Sequence, residues 1–264
     1  MVAEADESDR SFLKLFPTIA VITNIDHEHL ENYGGFDDLQ QAFVDFANKV
    51  PFYGGGRRLR RRSRTWPRSL PRMTRRVTTY GLDAPAADVT RDRRRARAAR
   101  RRGRRAAARA RARDAGTAES PLGSLTLNVP GRHNLQNALA AVAVGLELGL
   151  PFERIAAGLR EFRGAERRFE VRGEPNGILV VDDYGHHPTE IAAVLAAARD
   201  ARTAASSSRS SRTAITRTAA LMDAFGPALA GADHIVLTDI YAAGEDPIAG
   251  RDDRRAGGGD SPRA

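Results

Sequence analysis

Cysteine and lysine are the residues that this sequence most clearly lacks. Its 264 residues contain no cysteine, which excludes disulfides, thiolate metal ligands and a cysteine nucleophile. Lysine occurs only at Lys14 and Lys49, against forty arginines, a bias typical of GC-rich coding DNA. No glycine is followed by lysine, so these residues contain no phosphate-binding loop of the Gly-Lys-Ser or Gly-Lys-Thr type.

Long hydrophobic runs are also missing. None approaches the roughly 18 to 20 apolar residues that a membrane helix needs. Residues 1–7 are acidic, where a signal peptide is basic and then apolar. We therefore expect a soluble, cytoplasmic chain with no membrane partner. A chain of this length holds one large domain or two ordinary ones, which is enough for an enzyme.

The net charge of +9 arises in two short windows. Residues 55–76 contain ten arginines and no acid, and residues 91–113 contain thirteen arginines and one acid, Asp92. The rest of the chain holds 19 of the 42 basic residues and 32 of the 33 acidic ones, and is therefore acidic. Arginine tracts bind nucleic acid through counterion release. Trp66 is the only aromatic residue in both windows, so no base-stacking platform is expected.

Hydrophobic periodicity predicts alternating strands and helices, which is typical of α/β proteins with a parallel sheet. The elements predicted first are strand 18–25, helix 36–50, strand 77–82, strand 122–129, helix 134–148 and helix 152–162. A second series follows a boundary near residue 165, with strand 178–181, helix 191–199, segment 219–229 and strand 234–240. Four stretches have no periodic pattern, and disordered loops are their plainest interpretation: 55–76, 91–118, 202–213 and 251–264.

The densest group of reactive side chains follows the predicted strand 178–181. Residues 182–190 read DDYGHHPTE, and ligands bind at the carboxyl ends of strands in open α/β sheets. Asp183 is a candidate for binding a hydroxyl or moving a proton, and His186 and His187 are candidates for orienting a carboxylate. A buried polar cluster that satisfies its own hydrogen bonds is the alternative.

Two acidic groups are candidates for a metal site. One spans residues 4–9, and the other, which includes His27 and His29, spans residues 26–31. Hard oxygen ligands in this number suit Mg²⁺, which binds through one or two carboxylates together with substrate phosphates. A solvated acidic surface is the alternative. A zinc site at the two histidines lacks a third ligand.

Amide and guanidinium side chains offer a candidate nucleotide site. Asn134 and Asn137 are three residues apart on the predicted helix and share a face of its first turn. Their carboxamides match the donor and acceptor of a purine edge, while capping of the helix by Asn134 is the alternative. Arg167 and Arg168 are candidates for a bidentate phosphate contact, or else an ordinary surface pair.

Six strings of this sequence, in this order, resemble the Mur ligase family. They are EADESD at 4–9, TNIDHEH at 23–29, PGRHNLQNA at 130–138, GAERRF at 164–169, DDYGHHPTE at 182–190 and YAAGE at 241–245. Within the family, Tyr184, Gly185 and Glu190 favour the branch that adds L-alanine over the branch that recycles a murein tripeptide.

The resemblance implies an α/β fold in two parts. The first is an incomplete Mur ligase central ATPase domain with a mostly parallel sheet, and the second is a partial Rossmann-like C-terminal domain. The implied bounds are 1–165, with irregular arginine-rich insertions at 55–76 and 91–118, then 166–250, and a disordered tail at 251–264. Family members begin with a UDP-binding domain and a phosphate loop, so a separate chain carrying them is the implied partner.

The resemblance also implies a reaction. ATP phosphorylates the carboxylate of UDP-N-acetylmuramate, and the amine of L-alanine attacks the acyl phosphate, a step of peptidoglycan precursor synthesis. The implied catalytic residues are His29, Arg168 and Asp183. By position in the motifs, the other implied roles are Mg²⁺ ligation by Glu4 and His29, adenine contacts by Asn134 and Asn137, a phosphate contact by Arg168, a ribose contact by Asp183, and binding of the amino-acid end by Tyr184, His186 and His187.

The sequence departs from the family inside the stretches without pattern. A Gln-Pro-His-Arg-Tyr run is expected just before Thr216, where residues 203–214 contain only serine, arginine, threonine and alanine. Out-of-frame GC-rich codons yield arginine, alanine, glycine, serine and proline, so we interpret these stretches as reading-frame slips. Translating the gene in its other two frames tests this interpretation. Absence of family-like sequence opposite 55–72, 91–113 and 202–215 would refute it.

Three hypotheses follow. The first is a truncated, frameshifted copy of an L-alanine-adding ligase that is inactive by itself. The second is an arginine-rich nucleic-acid-binding protein on a degenerate ligase scaffold, and the third is a pseudogene product that does not fold stably. A salt-titrated binding assay separates the second from the first, because phosphate contacts weaken steeply with salt. We expect the first, and we do not expect nucleic acid as a partner.

Overall fold

Six strands form the larger sheet, and they lie side by side in the order in which they occur along the chain. The computed structural model of the chain describes residues 1–27, 29–51, 57–60, 70–84, 86–91, 106–113, 119–201, 205–210, 215–242 and 244. Its internal contacts divide the chain into a first unit of residues 1–100, 107–127 and 133–162, and a second unit of residues 101–106, 128–132 and 163–264.

The larger sheet is mostly parallel. Its strands are β1 (Val21–Ile22), β2 (Arg57–Arg60), β3 (Val77–Gly81), β4 (Val89–Arg91), β5 (Ala106–Arg113) and β6 (Glu119–Leu127). The pairs from β1 to β4 are parallel, and β5 turns antiparallel against β4. This arrangement confirms the predicted α/β class with a mostly parallel sheet.

Helix α1 (Phe36–Asn48) shows how the periodic pattern becomes a core. Leu39, Ala42 and Phe46 recur at spacings of three and four, and all three are buried. The ring of Phe12 lies 5.2 Å from that of Phe43 and 5.1 Å from that of Phe46, measured between centroids. The helix therefore packs its apolar face on a cluster that begins near the N-terminus.

Two further helices of the first unit approach each other closely. They are α2 (Arg132–Glu147) and α3 (Phe152–Glu161), and α3 also packs against β6. A Cβ added at Gly145 would lie 2.6 Å from Cδ1 and 2.7 Å from Cγ1 of Ile155. The absence of a side chain at Gly145 therefore permits this contact between the helices.

Replacing Gly145 with valine is expected to destabilise the first unit by about 2 kcal/mol, because overpacking forces side chains and backbone to move. Amide hydrogen exchange in α2 and α3 measures the effect. Trimming the opposing side chain with Ile155→Ala in the same chain is expected to recover part of the loss. Strictly additive effects of Gly145→Val and Ile155→Ala would contradict the proposed contact.

The second unit contains two small sheets and three helices among its described residues. Strands β7 (Glu170–Gly173) and β8 (Val180–Asp182) are antiparallel, while β9 (Ser207–Ser210) and β10 (His234–Leu237) are parallel. The helices are α4 (Pro188–Ala201), α5 (Ile215–Ala220) and α6 (Met222–Leu229). Ile191, Phe225 and Leu229 form the centre of a small apolar core between α4 and α6.

Most predicted elements are confirmed within a few residues, but several are shorter or new. The strand predicted at 18–25 is reduced to β1, and the segment 219–229 is divided between two helices. Strands β4 and β7 were not predicted. Both are short, and neither shows a run of alternating apolar residues long enough to be recognised.

The prediction of irregular structure in the arginine-rich and serine-rich stretches was wrong for four described segments, while residues 73–76 and 205–206 are irregular as predicted. Strands β2, β5 and β9 lie inside 55–76, 91–118 and 202–213, and residues 70–72 form a 3₁₀ turn. In β5, Ala106, Ala108 and Ala110 are buried while Arg109 is exposed, which is the period of two expected of a strand. The remaining residues of these stretches and the tail 251–264 lie outside the described residues.

Within the part of the chain that the structure describes, no helix is both long and apolar enough to cross a bilayer. The longest, α2, has 16 residues.

Candidate functional site

The loop between β8 and α4 is folded around two carboxylates, those of Asp183 and Glu190. Gly185 makes this possible, because a Cβ added there would lie 2.8 Å from Oδ1 of Asp183 and 3.4 Å from Cβ of Glu190. The loop lies at the carboxyl end of β8, where the sequence predicted a ligand site. A glycine in its middle lets the backbone approach both acids.

Asp183 holds two backbone N–H groups from different segments. Its Oδ2 accepts from the N–H of Phe169 and its Oδ1 from the N–H of Gly185, each at 2.7 Å. The loop is thereby tied to the segment that precedes β7. Each carboxylate oxygen has two acceptor positions, so the side chain retains capacity for a ligand hydroxyl.

Glu190 divides its two oxygens between a loop and a cation. Oε2 accepts from the backbone N–H of His186 at 3.1 Å and of His187 at 3.4 Å. Oε1 lies 3.1 Å from Nη1 of Arg168, and the two side chains are 36% and 49% exposed. Partly exposed pairs of this kind contribute at most about 1 kcal/mol, so the contact is easily exchanged.

The pKa of Glu190 lies below its ordinary value. Burial is the largest single influence and raises the pKa, but the N–H of His186, the Arg168 guanidinium and the N–H of His187 together outweigh it. A lowered pKa means that the ionised form stabilises the fold at pH above the ordinary value of 4.5. This stability is lost as the pH falls through the folded-state pKa.

Glu190→Gln is therefore expected to lose stability relative to the unmodified chain at pH 6, and the difference is expected to shrink as the pH falls from 4.5 toward 3. This stability difference is measured by chemical denaturation of both proteins across this pH range, with hydrogen exchange in the second unit as the readout. A difference that stays constant from pH 6 to pH 3 would show that the charge of Glu190 contributes nothing to the fold.

His187 caps helix α4. It is buried, and its Nδ1 accepts a hydrogen bond from the backbone N–H of Thr189 at 3.2 Å. Pro188 begins the helix, and Glu190 returns a bond to the N–H of His187, so the residues His187 to Glu190 form a reciprocal capping box. A polar cluster that satisfies its own hydrogen bonds, one of the two alternatives for this motif, therefore fits Glu190 and the Nδ1 atom of His187.

Tyr184 and His186 are more accessible. Their rings meet edge to face with centroids 5.4 Å apart, and Nδ1 of His186 lies 3.1 Å from the carbonyl oxygen of Tyr184. The guanidinium of Arg167 lies over the Tyr184 ring at 4.6 Å from its centroid. Tyr184 is 47% exposed, so its phenol remains available to a ligand.

Arg168 is carried by a strained segment. Its neighbours Arg167 and Phe169 have φ values of 55° and 49°, in the left-handed region that residues other than glycine rarely adopt. Bonds from outside the segment hold both of them: Tyr184 donates its N–H to the carbonyl of Arg167 at 2.6 Å, and Asp183 accepts from Phe169. Strain maintained in this way is typical of functional segments, where it fixes the direction of a side chain.

A cavity of about 550 Å³ opens beside the loop within the second unit. Asp183 and Gly185 line one part of it, apolar residues of α4 such as Ile191 and Leu195 another, and Ser207–Ser210 a third. The serine side chains of β9 are small, which leaves this space open.

The two asparagines lie in the first unit. Helix α2 begins at Arg132, so Asn134 lies within its first turn and is not its N-cap residue, which makes the capping interpretation wrong. Asn134 is half-buried and Asn137 is exposed. Between them, Gln136 is buried and its Oε1 accepts from the N–H of Leu82 at 3.4 Å, which ties α2 to the end of β3.

The acids near the N-terminus serve local turns. Asp6 accepts from the N–H of Ser8 and Asp9 from the N–H of Ser11, both at 2.8 Å. Hydrogen bonds from Ser8, that of the backbone first, lower the pKa of Asp6. Glu4 is exposed, and Glu28 lies outside the described residues.

His29 is half-buried and has a φ of 56°. Among the described residues, no three histidine or acidic side chains converge on one point where a metal ion fits. Glu4 and His29 are at most a partial set of ligands, which Mg²⁺ completes with water and phosphate oxygens. Their role in metal binding stays a prediction.

Glu190 and Gln136 were not among the predicted site residues. The spacing His187-Pro188-Thr189-Glu190 is a signal for Glu190, because it reproduces the capping box with histidine as the cap. No comparable signal exists for Gln136, since its bond to Leu82 joins residues that are 54 positions apart.

Two family models match most of the chain. The Mur ligase middle domain matches residues 2–145, and the Mur ligase glutamate ligase domain matches residues 167–258. Curated relatives include the UDP-N-acetylmuramate–L-alanine ligases of Geotalea daltonii and Geobacter sulfurreducens, each 46% identical over 95% of this chain and 52% of the relative. The chain thus spans about half the length of these relatives.

The chain is also similar to solved structures of ligases. The UDP-N-acetylmuramate-alanine ligase of Thermotoga maritima is 27% identical with a TM-score of 0.68, covering 92% of this chain and 50% of that one. A murein peptide ligase from Psychrobacter arcticus, 22% identical with a TM-score of 0.57 over 86% of this chain and 44% of that one, shares the fold.

Proposed function

This chain belongs to the Mur ligase family, and from that premise we propose that it derives from an enzyme that joins L-alanine to UDP-N-acetylmuramate at the expense of ATP. The observation that carries the proposal is the 46% identity to ligases of that name across 95% of the chain. The same proposal places the reaction in the cytoplasm, in peptidoglycan precursor synthesis.

In the proposed reaction, the muramate carboxylate attacks the γ-phosphorus of ATP, giving an acyl phosphate and ADP. The amine of L-alanine then attacks the acyl carbon, phosphate leaves with the electron pair of the broken bond, and the nitrogen loses a proton. Glu4 and His29 would hold Mg²⁺, which shields the charge of the transferring phosphoryl group. Arg168 contacts a phosphate, and its half-exposed guanidinium supports this role.

The remaining roles follow from exposure and chemistry. Asn134 and Asn137 contact adenine from the first turn of α2, and Asp183 contacts the ribose through its remaining acceptor positions. Tyr184 and His186 bind the amino-acid end of the substrate. For His187 we propose a different role from the one that the resemblance implied, because a buried side chain that caps α4 positions the loop and does not face a ligand.

By itself the 264-residue polypeptide is expected to have no ligase activity. None of its glycines precedes a lysine, so it cannot surround the ATP phosphates with the amides and lysine of a phosphate loop. The proposed partner is a polypeptide segment that carries this loop and the UDP-binding domain.

Photo-crosslinking with 8-azido-ATP tests the proposed adenine site. The label is expected within Arg132–Glu147, protected by ATP and not by GTP, when the crosslinked peptides are identified by mass spectrometry. Asn137→Ala is expected to reduce labelling about tenfold, because one amide hydrogen bond to the base is lost. Gln41→Ala on α1 removes an amide elsewhere and serves as the control. Labelling that is unaffected by Asn137→Ala, or equally protected by GTP, would refute the assignment.

A further inference from the structure

One side chain, Glu190, connects the two segments that carry the proposed phosphate and substrate contacts. Its Oε1 pairs with Arg168, and its Oε2 holds the N–H groups of His186 and His187. The two tasks use different oxygens. Arg168 is therefore able to leave Glu190 while the loop that carries His186 keeps both of its bonds.

We propose that Glu190 is an internal competitor for the anion site, and that it occupies the Arg168 guanidinium until a phosphate group displaces it. The proposal rests on the proposed function, in which Arg168 is a phosphate contact. It adds a regulatory role for a residue that touches neither nucleotide nor amino acid. Glu190 sets how tightly phosphate binds at Arg168 and prevents the site from holding weak anions.

Three features favour the exchange. The ion pair is partly exposed, so breaking it costs little. A polyphosphate carries several charges and offers Arg168 a bidentate contact, which a single carboxylate oxygen at 3.1 Å does not. The carboxylate left behind stays in a favourable place, because it accepts the N–H groups of His186 and His187 just before α4. Glu190 itself lies in the first turn of this helix, where the helix dipole stabilises negative charge.

The segment around Arg168 is suited to such an exchange. Arg167 and Phe169 are fixed in left-handed conformations by bonds to Tyr184 and Asp183, and neither bond involves Glu190. The backbone of Arg168 therefore keeps its place when the ion pair opens, and only the guanidinium moves. The negative charge of Glu190 remains near the incoming phosphate and weakens its binding.

The test uses the full chain, labelled with ¹⁵N, and inorganic tripolyphosphate as the probe. Because the arginine windows 55–76 and 91–113 offer a polyanion other positive charges, affinity is read from the side-chain Nε–H resonance of Arg168 alone. In the unmodified chain, this resonance is expected to shift on titration, while the amides of His186 and His187 keep their positions. This measurement tests the exchange without any substitution.

Glu190→Gln separates the two tasks of the side chain. Its single amide oxygen accepts from the His186 and His187 N–H groups, and its NH₂ group then faces Arg168 and cannot pair with it. We expect tripolyphosphate to bind at Arg168 about five- to tenfold more tightly than in the unmodified chain, since a competing and repelling charge is removed. Dispersed amide resonances of α4 and α6 verify that this variant is folded.

Glu170→Gln is the matched control. Glu170 lies in the same segment and accepts the N–H of Arg167, but it pairs with Arg172 and not with Arg168. Removing this charge is expected to change affinity at Arg168 less than twofold. The double variant combines Arg168→Gln with Glu190→Gln, and its affinity for tripolyphosphate is read from the backbone amide of residue 168. The tighter binding seen with Glu190→Gln alone is expected to vanish in it.

The outcomes separate this proposal from the proposed function. An Arg168 resonance that shifts with tripolyphosphate, together with unchanged or weaker binding in Glu190→Gln, would refute the competitor role and leave the phosphate contact intact. Equal gains in Glu170→Gln and Glu190→Gln would also refute it, since net charge alone would explain them. An Arg168 resonance that shifts in neither protein would refute both the phosphate contact and the competitor role.

Discussion

Replacing Arg57, Arg58 and Arg60 together with valine is expected to stabilise the first unit by about 3 kcal/mol. Their strand, β2, lies between β1 and β3 and is parallel to both. Strands inside parallel sheets are normally covered on both faces and consist of apolar β-branched residues. The sequence Arg-Arg-Leu-Arg conflicts with such a position.

The slowest-exchanging amides of the larger sheet, such as that of Tyr80, report this gain. Arg109→Val is the control, because Arg109 is an exposed strand residue of β5, and its substitution is expected to change stability by less than about 0.5 kcal/mol. Equal or lower stability of the triple variant would show that arginine suits this strand. It would also count against a reading-frame slip at 55–72. Such a slip predicts that another frame of the gene encodes apolar residues at the positions of β2.

Replacing Asp183 with alanine is expected to destabilise the second unit by about 2 to 3 kcal/mol. The N–H groups of Phe169 and Gly185 both lose their acceptor, and an unsatisfied donor costs about 1 to 3 kcal/mol. Phe169 is also released from its left-handed conformation, so the segment that carries Arg168 is expected to loosen.

Hydrogen exchange at the amides of β7 and β8 measures this loss. Asp183→Asn keeps one acceptor oxygen and is expected to lose about half as much stability. The alanine substitution at Asp182 provides a matched comparison, because that side chain is exposed and pairs with Arg172 at the surface. Equal effects of Asp183→Ala and Asp182→Ala would contradict the structural role of Asp183.

The sequence was sufficient to predict those helices and strands whose apolar residues form one recognisable pattern. Leu39, Phe43 and Phe46 predict α1, and the apolar run before Asp182 predicts β8. Strand β5 was missed for a compositional reason. Alternation of alanine and arginine has the period of a strand, but alanine has low strand propensity, and the arginine content favoured an irregular tract.

The site was predictable only in part, because its contacts are non-local. The motif at 182–190 identified the loop, and the spacing of Asn134 and Asn137 placed both on one turn of α2. The bond from Phe169 to Asp183 and the pair between Arg168 and Glu190 join residues 14 and 22 positions apart. Hydrophobic periodicity and local spacing contain no information about such contacts.

Ligation of labelled L-alanine to UDP-N-acetylmuramate tests whether this chain is part of an L-alanine-adding ligase. Two proteins are compared, each with and without ATP. The first is the 264-residue chain. In the second, the stretches 55–72, 91–113 and 202–215 are replaced by the translation of the reading frame that resembles the family, and the N-terminal half of the Geotalea daltonii relative is fused before residue 1. We predict no product from the first and ATP-dependent, L-alanine-dependent product from the second. Product from the chain alone would contradict its expected inactivity, and product from the second protein with another amino acid in place of L-alanine would contradict the proposed substrate.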